Sequence, residues 1–233
     1  MGSMVLSKEL NQIPRFSGLK PTTLKWLTER IHRIKVAKSN FVFSEGDSCD
    51  ALFIVESGSI KIFKSLESGR ELTIDIFYHG DALGEVALID EGEYPASATA
   101  LEDSTILKLP KEDYIKLLTF SDATSSVIRD LSLRMRALNR RVRELGSGEV
   151  EQRLALVVLT ISQRSNPKNT ETLVCDLTRQ ELSSLVGARM ETVIRIISKW
   201  HKSGIAIKSS SGLHVNKTAI AKLLENKTKD LDL

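Results

Sequence analysis

The sequence predicts an α+β chain in three parts: an antiparallel β jelly-roll barrel, one long helix, and a final pair of short helices followed by a hairpin. Three observations carry this. From Phe41 to Leu109 short apolar runs are cut by glycine turns, roughly every 10 to 12 residues, as in sandwiches and jelly rolls. From residue 122 to 145 apolar residues recur three and four apart, the period of a helical seam. From Thr178 a capping signature, a glycine turn and a Ser-Ser-Ser-Gly hairpin signal follow in order.

The first element is a helix expected over 19–35, LKPTTLKWLTERIHRIK, opened by Pro21 with Leu24, Leu27, Ile31 and Ile34 at helical spacing. The barrel follows. Its turns are EGD (45–47), SGS (57–59), SGR (68–70) and HGD (79–81), and between them Ile60 and Ile62, then Leu72, Ile74 and Ile76, alternate with period two. Pro110 opens a return to helix. The long helix carries Ile128, Leu131, Met135, Leu138, Val142 and Leu145 at spacings of 3, 4, 3, 4 and 3, while six arginines between 129 and 143 fall off this line. A helix packed on its own barrel also shows such spacing. Six consecutive seam positions favour a two-stranded homodimer helix instead. GSGEV (146–150) is expected to break the helix, with Ser147 capping the next one. The domains then read 4–121 for the barrel, 122–146 for the dimerisation helix and 147–233 for the last domain.

In that last domain a helix is expected through Gln163, with Leu154, Val157, Val158 and Ile161 on one face, and residues 164–172 form a loop. Thr178 and Glu181 make a capping box. Leu182, Leu185 and Val186 are the buried face, and Gly187 ends the helix. A second helix points Val193, Ile196, Ile197 and Trp200 inward, and IAIKSSSGLHVN (205–216) forms a hairpin. Two helices across a short glycine turn with a hairpin behind them make a winged helix-turn-helix.

Composition bounds the function. The 233 residues carry a net charge of +3, with 41% hydrophobic and 27% charged residues, ordinary for a globular chain. Residues 147–233 hold 13 Lys and Arg against 9 Asp and Glu, an excess suited to nucleic acid. No apolar run approaches the roughly 18 residues that a membrane helix needs. Met4 to Leu10 is too short and polar for a signal peptide, and Met1–Ser3 read as a leader added ahead of a natural start at Met4. Cys49 and Cys175 stand far apart with no Cys-x-x-Cys and no Cys/His cluster, so zinc and iron–sulfur ligation are unsupported and a reducing cytoplasm is expected. Each thiol reads as a small buried apolar group. No G-x-S-x-G, P-loop or metal-ligand cluster points to an enzyme.

Three stretches together, GDSCDALFIVESGSIKI (46–62), HGDALGE (79–85) and TRQELSSLVG (178–187) with ETVIR (191–195), resemble the family of the cyclic AMP receptor protein and the fumarate–nitrate regulator (CRP/FNR) over nearly the whole chain. The resemblance implies a cyclic-nucleotide-binding-type barrel in a homodimeric bacterial transcription regulator, controlled allosterically by a small signal through the barrel and dimer helix, with RNA polymerase as a partner, in the cytoplasm. It also implies an effector pocket at Gly84, Glu85, Val86, Ala87, Tyr94, Pro95 and Ala96, with Leu138 and Asn139 at the positions that touch adenine in the receptor. In cyclic-nucleotide binders of the family the cassette glutamate meets the ribose and a following Arg-Ser holds the phosphate. Allowing one deleted residue, this chain has Tyr94-Pro95 there, and no Lys or Arg between Gly84 and Leu107. A buried phosphate without a cation is costly, and Pro95 lacks an N–H. Ordinary cyclic AMP is therefore not the expected effector. The aromatic-Pro cassette resembles haem-linked nitric-oxide regulators, which makes haem the cofactor that the resemblance suggests. His32 and His79, the histidines outside the DNA domain, offer it no site of their own. A cyclic dinucleotide, and a barrel that is only a dimerisation scaffold, remain open.

For DNA, the family resemblance and the helix pattern single out Met190, Glu191 and Arg195 toward bases, and Arg179, Arg189, Thr192 and Lys199 toward phosphates. Arg holds guanine O6 and N7, and Glu accepts from a cytosine amino group. Glu191 and Arg195 are also placed for an i,i+4 ion pair. Where the receptor has Ser-Arg-Glu-Thr, this chain has Arg189-Met190-Glu191-Thr192. Met190 cannot donate to guanine, so inverted repeats of TTGA-like half-sites with a TGA core are expected on double-stranded DNA.

Overall fold

The structure, a computed structural model, describes residues 7–90, 92–147, 149–165, 171–207, 209 and 212–225. It divides into two compact units, Met1–Ala137 and Leu138–Leu233.

The first unit opens with α1 (Ser7–Leu10), a single 3-10 turn at Pro14–Phe16 and α2 (Pro21–Thr28). Leu24 and Leu27 are buried as expected. The helix expected to run to Lys35 stops at Thr28, and His32–Val36 is instead strand β1, paired antiparallel with β8 (Ser104–Pro110) from His32↔Lys108 to Val36↔Ser104. The helical spacing of Ile31 and Ile34 lost to a vacant sheet edge: β8 supplies a full ladder, and the β-branched Ile34 and Val36 suit a strand. β2 (Phe41–Phe43), β3 (Ala51–Ser57), β4 (Ile60–Ser65), β5 (Glu71–Phe77), β6 (Ala82–Leu83), α3 (Glu85–Ile89) and β7 (Ser97–Ala100) precede β8, and α4 (Lys111–Leu117) follows Pro110. Two antiparallel four-stranded sheets result, ordered β1-β8-β3-β6 and β2-β7-β4-β5. Leu52, Ile54, Ile60, Ile106 and Leu107 are among the residues buried in the core of this unit.

The period of two fails along β5. Thr73 and Ile76 are buried while Leu72 and Ile74 face outward. The pairing register with β4 shifts between Ile62 and Phe63, and an irregularity of one residue turns the following side chains to the opposite face.

Helix α5 spans Ser121–Ser147 and so belongs to both units. It runs through Gly146 and ends on Ser147, which therefore closes α5 instead of capping α6 (Val150–Ser165). The carbonyl of Glu149 accepts the first α6 bonds, from the N–H groups of Gln152 and Arg153. In the second unit, β9 (Thr172–Cys175), α7 (Arg179–Val186), α8 (Met190–Lys202), β10 (Ala206–Ile207), β11 (Leu213–Asn216) and α9 (Lys217–Glu225) complete the chain. Leu154, Val158 and Ile161 of α6 are buried. The hairpin β10–β11 gains a third strand, giving the order β10-β11-β9. β9 begins at Thr172, inside the expected loop, because Leu173 and Cys175 alternate inward against β11.

Candidate DNA interface and effector cassette

The helix pair of the second unit is locally determined. Thr178 Oγ1 accepts from the Glu181 N–H at 3.2 Å, and Glu181 Oε2 accepts from the Thr178 N–H at 2.8 Å, which closes the capping box. Leu182, Leu185 and Val186 are buried. Gly187 ends α7 at φ 66°, a left-handed conformation that a glycine adopts at no steric cost. Arg189 then stands at the N-cap of α8 without a side-chain cap bond. Val193, Ile196, Ile197 and Trp200 pack inward. The opposite face presents Met190, Glu191, Ile194, Arg195 and Lys199 to solvent, with Arg189 exposed before them and Arg179 and Thr192 half-buried.

Two details differ from expectation. Among the described residues Glu191 and Arg195 form no ion pair with each other, which leaves both heads on the outer face. Lys199 Nζ instead lies 2.7 Å from Glu151 Oε2, and Trp200 Nε1 donates to Glu151 Oε1 at 2.9 Å. Glu151, in the first turn of α6, thus anchors α8 through two neighbouring residues. Nothing in the sequence marks it, since it stands 48 residues from Lys199.

In the first unit, Gly84 sits at φ 84° at the head of α3, where a Cβ would lie 2.9 Å from Tyr94 Cε1 and 3.2 Å from the Ala51 carbonyl oxygen. The turn therefore requires glycine. Tyr94 is buried, its ring stacked on Phe43 at 3.8 Å between centroids, and its hydroxyl donates to Ala51 O at 2.9 Å. Burial pushes its phenol far above the ordinary range. Ala87 and Ala96 are also buried, while Val86 and Pro95 face outward.

Glu85 points inward. Its Oε1 accepts from Arg15 Nη2 at 2.9 Å and from the Tyr114 hydroxyl at 2.8 Å, and its Oε2 lies 3.2 Å from the same Arg15 nitrogen. The side chains of Arg15 and Glu85 are 3% and 4% exposed. Both carboxylate oxygens are thus engaged inside the protein. The neighbouring loops are joined by Gly46 N–H to Tyr94 O and Tyr94 N–H to Asp47 O. They carry exposed Glu45, Asp47, Asp50, Asp90 and Glu93, a rim unfavourable to a phosphate, with Lys64 paired to Glu45 and Lys108 to Asp50. A cavity of about 10 Å³ beside Arg15 and Tyr114 has room for a single water, not for a nucleotide or a macrocycle.

The two histidines of the first unit stand apart on its surface. His32 is exposed on β1, and His79 is exposed with Nδ1 2.8 Å from Glu56 O. Among the described residues no group of three or more His, Cys, Asp or Glu could hold a metal ion. Cys49 and Cys175 are both buried. Burial pushes the Cys175 thiol up to about 11 and raises that of Cys49.

On α5, Ile128, Met135 and Leu138 are exposed, Leu131 is half-buried and Asn139 is exposed. The side chains of Val142 and Leu145 lie outside the described residues. Leu138 and Asn139 fall in the second unit, whereas the remainder of the expected effector pocket lies in the first.

The chain matches the family model described as cyclic nucleotide-binding domain over residues 33–119 and the Crp-like helix-turn-helix domain over 152–224. The two matched spans fall one within each of the two units just described, in the same order. The chain belongs to the CRP/FNR family. It is 28% identical over 202 residues to the CRP-like cAMP-activated global transcriptional regulator of Mycobacterium tuberculosis, covering 85% of this chain and 90% of that one. It is 27% identical over 206 residues to the fumarate and nitrate reduction regulatory protein of Escherichia coli, covering 81% and 76%. In fold it is similar to the c-di-GMP responsive global regulator CLP of Xanthomonas campestris, with a TM-score of 0.71 at 22% identity over 84% of this chain and 99% of that one. As a CRP/FNR member it is a DNA-binding transcription regulator and not an enzyme. Among the described residues no helix is long and apolar enough to cross a membrane.

Proposed function

We propose that this CRP/FNR regulator works as a homodimer in the cytoplasm, reads an inverted repeat of TTGA-like half-sites with Glu191 and Arg195, acts with RNA polymerase, and is controlled through its barrel by a signal other than ordinary cyclic AMP. The observation that carries the effector reading is the Glu85 carboxylate, enclosed by Arg15 and Tyr114 at 2.8 to 3.2 Å. A ribose would have to displace a buried ion pair to reach it. Tyr94 already fills the space beside Gly84, and no cation follows to meet a phosphate. The dimer reading is supported by the apolar face of α5, which Ile128, Met135 and Leu138 leave open to solvent in the single chain.

A second reading is favoured by the same filled cassette: a regulator that needs no effector, with the barrel as a dimerisation scaffold. Haem and a cyclic dinucleotide share the difficulty that Tyr94 and the engaged Glu85 occupy the cassette. A ligand present at a hundredfold excess over its dissociation constant stabilises a protein by about 2.7 kcal/mol. A melting series with cyclic AMP to millimolar concentration should show no shift. The same series with a cyclic dinucleotide, and an absorption spectrum after haem supplementation, separate the remaining effectors from none at all. A clear rise in melting temperature with cyclic AMP overturns the reading.

A further inference from the structure

Arg15 stands in the turn Pro14–Phe16, ahead of the barrel in sequence, and is buried. Its surroundings fix it from three sides. The neighbouring Pro14 is wedged against the turn at 79–81, where a Cβ on Gly80 would lie 2.9 Å from Pro14 Cδ. Its main-chain carbonyl accepts from Ser126 Oγ of α5. Its Nη2 reaches Asp130 Oδ2 of α5 at 2.9 Å as well as the Glu85 carboxylate. One guanidinium nitrogen therefore bridges a carboxylate of the cassette and a carboxylate of the long helix. Ser126, Asp130 and Arg134 are four residues apart and share one face of α5. Arg134 continues the stripe: its Nη1 donates to Ala82 O at 3.0 Å and its Nε lies 3.5 Å from Asp130 Oδ2. Ile128 and Met135 remain outside the stripe and exposed.

We propose that Arg15 is the positioning residue that joins the effector cassette to the dimer helix. It takes the Glu85 carboxylate in place of a ligand and ties it to Asp130, so that a change at Glu85 reaches α5 through this side chain. The proposal rests on the reading of the chain as a barrel-controlled DNA-binding dimer. Its physical basis is that the Glu85 carboxylate, 4% exposed, cannot leave Arg15 without stranding charge in the interior, whereas the 27% exposed Asp130 can be released to solvent at lower cost. A two-way contact of this kind biases the helix toward one position, and a positioning element that both sites touch is what coupling requires.

Removing Arg15 itself would leave the buried Glu85 carboxylate without a cation and can unfold the barrel, so the test acts on its two partners. Asp130, with its side chain 27% exposed, tolerates substitution. The full chain carries Asp130→Asn, Glu85→Gln, or both, and is followed by amide hydrogen exchange in 121–134 and by affinity for a duplex selected by the wild-type protein. Asp130→Asn should speed exchange in 121–134 at least tenfold and move duplex affinity at least fivefold, with the melting transition still cooperative. Glu85→Gln should speed exchange in the same helical segment, although it sits on α3. The double variant should match the stronger single variant and not the product of the two. Exchange in 121–134 unchanged by Glu85→Gln, or effects that simply multiply, would overturn the link through Arg15. If the wild type selects no duplex, the DNA reading fails, while the exchange measurement still decides for or against Arg15.

Discussion

The seam of α5 makes the sharpest prediction, because its residues are ill-placed in a single chain. Ile128, Met135 and Leu138 are 60%, 66% and 57% exposed. Full burial of a leucine side chain is worth about 1.5–3 kcal/mol, so a Leu138 still 57% exposed has about 1–1.5 kcal/mol left to gain. A two-fold axis counts this twice, about 2–3 kcal/mol per dimer. Leu138→Glu loses that gain and sets two carboxylates against each other in the seam, adding about 2 kcal/mol or more of repulsion and desolvation. The total of about 4–5 kcal/mol corresponds to a dissociation constant raised roughly a thousandfold. Sedimentation at micromolar concentration should then show monomers. The folded chain should be spared, since the side chain is exposed there. Leu133 is the control: it is 54% exposed but off the seam, so Leu133→Glu should stay dimeric. A Leu138→Glu dimer as tight as wild type, or equal dissociation by both variants, would refute the argument.

Three further outcomes follow. Arg195→Ala should cost about 1–3 kcal/mol per half-site and relax the preference at one base pair, read by selection from random oligonucleotides; unchanged base preference would remove Arg195 from the readout. Lys199→Ala should weaken all duplexes alike and flatten the salt dependence. Glu151→Gln, which keeps an acceptor for Trp200 and frees Lys199 from a mostly exposed ion pair, should steepen that dependence instead. Cys175 should be inert to thiol reagents near pH 8 in the folded protein. Burial holds its pKa near 11 against an ordinary 9, so the unfolded chain loses this proton first, and stability should fall as pH rises through 9 to 11, by about 3 kcal/mol. Rapid labelling of native Cys175 at pH 8 would contradict its burial.

The DNA-reading unit was the most legible part of the chain because its signals are short in range. The Thr178–Glu181 box, the Gly187 turn and the inward set from Val193 to Trp200 each lie within one or two helical turns, so spacing alone fixes them. The long helix α5 and the Gly84-Glu85 turn before Tyr94 were visible for the same reason. Local pattern failed where a distant partner had the stronger claim. The expected helix over 19–35 ended at Thr28 because β8, some 70 residues further on, had an edge to fill. The alternation along β5 failed because the register slips at Ile62, and TLVC became β9 because β11 lay beside it.

The sequence by itself determined the order of barrel, long helix and winged helix, and the missing cation after the cassette. Only the tertiary structure decided what holds Glu85. Its partner Arg15 is 70 residues away, and Arg15 is 115 residues from Asp130. Hydrophobic periodicity records which face of an element is buried, but charges pair through space, and which arginine meets which carboxylate is fixed only once the sheets and α5 have closed around them.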